Sequence, residues 1–269
     1  MYSDKDPETG EITNRSYIRL HDTDVDITYA STVAITNNDW FSLQGGILNF
    51  GRHGSVNGAD IVVDGGTSVS LKSIDGVRHA LAINGGIFYG SAFDWVHVGV
   101  NDTNVTIGDV DISVERGEYA NYAGTAVIRG SLFYLYNKGY YFDIGNMTVN
   151  VGDINLNAVN TNGTASVSGT LAYIADENSW VDFRNSSITV GDITAHAVSN
   201  TGTAEVLGGF LVNFQSDLYL VNTPVTVGEL VYNAESNGGT AQVLGGIYYG
   251  SGWNGHNGGI SVTSGFTIP

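Results

Sequence analysis

Thr148–Tyr173 reads TVNVGDINLNAVNTNGTASVSGTLAY, and Ser187–Val212 reads SITVGDITAHAVSNTGTAEVLGGFLV. Laid one over the other, the two stretches share their apolar residues, their Gly-Asp step and their Asn/Gly/Thr link. Within each, every second residue is apolar and the ones between are mostly polar. A period of two with one apolar face is the pattern of a half-buried strand. The Val-x-Val-Gly-Asp-Ile step recurs as Val-x-Ile-Gly-Asp-Val at Val105–Val110 and as Val-x-Val-Gly-Glu-Leu at Val225–Leu230. From Ile107 to Val110 the apolar step is three, which would throw the next side chain to the wrong face unless the backbone bends there. The Gly supplies a corner or bulge and leaves the acid pointing outward. Links such as Asn162-Gly163-Thr164 and Asn237-Gly238-Gly239-Thr240 carry turn chemistry, since Asn and Gly tolerate positive φ.

Working outward, a glycine-centred element recurs at Gly45, Gly85, Gly130, Gly169, Gly208 and Gly245. Continuing its alternation through the glycine puts Tyr134, Tyr173 and Tyr249 on the inward face. Another element follows each glycine: Trp95-Val-His-Val, Tyr141-Phe-Asp-Ile, Trp180-Val-Asp-Phe and Asp217-Leu-Tyr-Leu, with Tyr17-Ile-Arg-Leu as its first copy. Segment 55–80 fits the scheme least. Helix is excluded by the lack of a 3.6-residue apolar stripe and by the dominance of Gly, Val, Thr, Asn and Tyr.

Six repeats of about 40 residues without helix predict an all-β chain. One architecture is a parallel β-helix (β-solenoid), with two coils of about 20 residues in each repeat. Twelve such coils would make a rod on the order of 55–60 Å long. The alternative is a six-bladed β-propeller, one blade per repeat. The identical small or apolar columns, the drifting repeat length and the start of a seventh repeat at Ile260–Ile268 favour the open stack. On this reading residues 1–16 are a flexible or capping N-terminal segment. Residues 17–269 are one solenoid domain cut from a longer series.

Composition narrows the function. Ten Lys plus Arg against 27 Asp plus Glu give a formal charge of -17. Binding a nucleic-acid backbone needs clustered cations, so that partner is excluded, and an anionic membrane surface is disfavoured. No apolar run is long enough for bilayer insertion, and residues 1–14 lack the apolar core of a secretion signal. The 269 residues include no Cys, which removes disulfides and thiolate chemistry. Asp109, Asp153, Asp192 and Glu229 share one repeat position. Their oxygens could take Ca²⁺, or they could cap backbone N–H groups at the corner. Column mates two coils apart would lie about 10 Å from one another, too far to share an ion. Tyr17, Trp95, Tyr141 and Trp180 align as an outward aromatic column, suited to stacking on sugar rings or filling a partner's pocket. Asp143 and Asp182 share a column beside it. A carboxylate pair is the minimum for glycoside hydrolysis, but neither acid has His or Arg at its side in the pattern. The six His include no ligand-spaced pair. The expectation is a non-enzyme without cofactor.

The Gly-Gly-apolar steps (Gly45-Gly46-Ile47, Gly85-Gly86-Ile87, Gly208-Gly209-Phe210, Gly245-Gly246-Ile247) and the Val-x-Val-Gly-Asp-Ile corners resemble the passenger regions of autotransporter and filamentous-haemagglutinin-type bacterial surface adhesins. The resemblance covers about residues 17–268. It implies a right-handed parallel β-helix outside the cell, at the bacterial surface, that attaches to a glycan or protein receptor, self-associates, or acts as a stalk. It carries no catalytic residue. A β-helical polysaccharide-processing enzyme or a tailspike-like glycan-binding protein is the alternative expectation.

Overall fold

The computed structural model describes residues 4–5, 12–13, 19–21, 24–35, 40–50, 54–58, 60–73, 80–92, 96–118, 122–137, 140–175, 179–213, 216–245, 247–249, 260–263 and 266–267. Among them every regular element is a strand, so no helix is long and apolar enough to cross a bilayer. Asp4–Lys5 and Ile12–Thr13 form a small antiparallel pair. All other described pairings are parallel and build three sheets. The chain visits the sheets in rotation, and each visit pairs with the visit before it. This is the organisation of a parallel β-helix. Propeller blades, whose strands alternate in direction, are not present among the described residues.

The first sheet holds Arg19–His21, Gly54–Asn57, Val96–Asn101, Tyr140–Gly145, Trp180–Arg184, Asp217–Val221 and Ile260–Val262. The second begins with Asp24–Ile35 and Asp60–Ser73. From there each visit is split in two by the Gly-Asp corner, as in Asn104–Ile107 followed by Val110–Arg116. The third begins with Trp40–Phe50 and Ala80–Ala92, then divides at a glycine, as in Gly124–Arg129 followed by Phe133–Asn137.

Each repeat is one coil, not two. Val105 pairs with Val149, Val149 with Ile188 and Ile188 with Val225, all as direct neighbours. The two-coil reading borrowed a common coil length. These coils are larger because each coil contributes up to two strands to a sheet. Seven strands in the first sheet at the usual strand spacing give a stack only about 30 Å tall. Segment 55–80 is a normal coil: Asp60–Ser73 pairs with both neighbouring visits, and Val63 and Thr67 stand opposite Ile107 and Val110. Its corner has one residue more, which hid the pattern.

The interior is filled by columns of identical positions. Val105, Val149, Ile188 and Val225 are at most 2% exposed, and Phe88 stacks on Phe133 with centroids 4.6 Å apart. Such burial, at about 25 cal/mol per Å² of apolar surface, is what holds a strand whose two backbone edges are both used by neighbours. A polar column closes the second sheet: Ser73, Arg116, Asn160 and Ser199 are in register and buried. The Arg116 guanidinium donates to Asn160 Oδ1 at 3.0 Å and to the Asn162 carbonyl at 2.8 Å. Burial lowers its pKa from the usual Arg value.

The six glycines stack in one line, through the pairings Gly45–Gly85, Asn84–Arg129, Arg129–Ser168, Ser168–Leu207 and Leu207–Leu244. Gly130, Gly169 and Gly208 turn the chain with φ of 74°, 60° and 53°, the left-handed region that favours glycine. The step across the glycine is three, since Phe88, Phe133 and Ala172 are partners. Leu132 and Leu171, two residues past their glycines, are buried as alternation predicts, and so is Tyr134 at 3% exposure; the corner adds Phe133 and Ala172 to the core beside them. Tyr89, Tyr134 and Tyr173 stack, 5.5 Å apart. Tyr249 pairs with Val212, in the register column of the core residues Leu135 and Ile174 rather than in the tyrosine stack.

Candidate functional site

The acid column of the second sheet comes first because its role is settled by geometry. Asp153 N–H donates to Asp109 Oδ1 at 3.0 Å, Asp192 N–H to Asp153 Oδ1 at 2.9 Å, and Glu229 N–H to Asp192 Oδ1 at 2.8 Å. Each carboxylate caps the corner of the next coil. A Cβ on Gly152, Gly191 or Gly228 would run into the Oδ1 of Asp109, Asp153 or Asp192 respectively and into the backbone of that same corner, so each glycine is fitted to the corner and acid of the preceding coil. With one coil per repeat the acids are neighbours, so the 10 Å separation expected from two coils does not hold. Yet each Asp is engaged in capping, and among the described residues no group of three or more His, Cys, Asp or Glu could hold a metal ion.

The outward face of the first sheet carries the other candidates. Phe142, Ile144, Val181, Phe183, Leu218 and Leu220 point into the core, so the residues between them face out. Register puts Tyr141 opposite His97 on one side and Trp180 on the other, with Asp217 next. The aromatic column is therefore His97–Tyr141–Trp180–Asp217. His97 occupies the place expected for Trp95, because a two-residue slip keeps every side chain on its face and leaves alternation unchanged. Trp95 itself and Tyr17 lie outside the described residues. The His97 and Tyr141 rings are tilted at 5.0 Å, and Trp180 Nε1 donates to Asp217 Oδ2 at 2.9 Å.

Beside it runs the column Gly99–Asp143–Asp182–Tyr219. The expected carboxylate pair is in register on adjacent strands, and the structure adds the cation that the pattern lacked. Arg184 donates to Asp182 Oδ2 from Nε at 2.9 Å and from its terminal nitrogen at 2.5 Å. Residues i and i+2 share a face, which is the signal in the sequence that could have found this pair. The bond to Asp182 raises the Arg184 pKa first, followed by the Asp182 charge. Asp182 is only 6% exposed, and its Oδ1 is buried without a hydrogen-bond partner. Burial raises the Tyr219 pKa, with Asp217 adding its charge and a hydrogen bond.

Comparison of the chain with protein-family models, with curated proteins and with solved structures finds no match. Function has to be argued from this face.

The face combines half-buried rings, three acids and one exposed cation. Rings with polar tips stack on apolar ring faces, and carboxylates accept from hydroxyl groups. Arg184 saturates one oxygen of Asp182 and fixes that side chain, a preorganisation that supports binding.

Proposed function

We propose that the chain is a non-catalytic repeat segment of a bacterial cell-surface adhesin, displayed outside the cell, that attaches through the outward face of its first sheet to a surface glycan. In this reading six repeats of about 40 residues each make one coil of the solenoid. The observation that carries it is the rung-on-rung register of His97, Tyr141, Trp180 and Asp217, which turns a textual repeat into a continuous wall of rings and acids. The resemblance to adhesin passengers and the acidic charge are consistent with it. Attachment of the purified chain to cells and to a glycan array tests it. Trp180→Ala and Tyr141→Ala should each lower attachment about tenfold, the loss of one stacking contact. Undiminished attachment in both variants would leave only a spacer role.

A second reading, a polysaccharide-processing enzyme, is favoured by one observation: Asp143 and Asp182 stand opposite each other on neighbouring strands. That places their backbones about 4.8 Å apart, and two neighbouring carboxylates are the minimum for glycoside hydrolysis. A reducing-sugar assay decides between them. Turnover abolished by Asp143→Asn or Asp182→Asn would replace the adhesin reading.

A further inference from the structure

We draw no further inference here: the strongest candidate, the open edge of the stack along Leu230–Ser236 and Ala241–Leu244, where Val231, Val243 and Leu244 are exposed, is an unpartnered apolar face, and nothing in the structure shows what covers it.

Discussion

The coil running through residues 187–213 and the one running through 225–249 occupy the same columns but differ in what lies above them. Val206 is fully buried, whereas its register partner Val243 is 43% exposed. Ile193, Ala195 and Ala197 are fully buried, and their partners Leu230, Tyr232 and Ala234 are only partly so. Val225 escapes this fate because the short strand Phe266–Thr267 covers it. Identical residue classes thus acquire different energetic weight from their neighbours, as expected when stability is a sum over adjacent repeats. In the later coil Tyr232 takes the place of Ala195 and reaches inward to Thr170 Oγ1 at 2.8 Å. A large side chain fits there because no further coil fills that space among the described residues.

The contrast can be broken by paired substitutions. The largest difference is expected at the glycine line. Gly169→Ala forces an alanine to φ 60° against the Ala172 carbonyl and should cost about 3 kcal/mol. Gly245→Ala meets only Tyr232 Cδ2 at 3.8 Å and should stay within about 0.5 kcal/mol. Urea unfolding of the two variants checks this; equal losses would mean that the two coils are equally constrained. Next, Val206→Ala should cost about 2 kcal/mol, and Val243→Ala a few tenths. A comparable loss at Val243 would show that this end is covered in solution. Smaller again, Asp192→Ala removes the cap on the Glu229 amide and should cost about 1 kcal/mol. Glu229→Ala keeps that backbone bond and should be near neutral. Cap loss equal in both would move the stabilisation from the bond to the charge.

The smallest effect is alkaline. Burial raises the Tyr232 pKa, outweighing the opposing hydrogen bond to Thr170. The folded chain therefore favours the neutral phenol. That contribution is fully present below the ordinary tyrosine value near 10 and is lost as pH rises through the higher folded value. Tyr232→Phe should flatten the stability decline over that window. Its counterpart Ala195 has nothing to titrate, so an unchanged slope would place Tyr232 in water.

The strands of the second sheet were legible in advance because Val, Ile, Gly and Asp recur there at fixed steps and every coil obeys the same geometry. The corner role of Asp109, Asp153 and Asp192 was visible for the same reason, although the partner of each acid, an amide one coil onward, is a contact that only stacking creates. In the third sheet the buried Leu132, Leu171 and Tyr134 are legible from alternation, whereas the added core positions Phe133 and Ala172 are not, because the glycine corner leaves no mark in the pattern. On the outward face, Tyr141 and Trp180 were found by their repetition. His97 does not stand out as a column mate because two-residue slips are silent, and Asp182, legible with Asp143 as a carboxylate pair, shows neither its burial nor its missing donor in residue type. The left-handed turn residues Asp102, Asn146, Asn185 and Asn222, with φ between 49° and 51°, were also readable in principle. They recur once per coil, directly after the first-sheet strand, and are of the types that tolerate that region.

The reciprocal fit of each corner glycine to the acid of the preceding coil has a consequence for inheritance. The lock spans a boundary between units and is the same at every boundary where Gly152, Gly191 and Gly228 meet Asp109, Asp153 and Asp192. Duplicating or deleting one whole unit rejoins matching halves, so such a gene can lengthen or shorten its product in whole turns without having to invent a new joint. A point change at either half has no such freedom, because its complement is encoded some forty codons away.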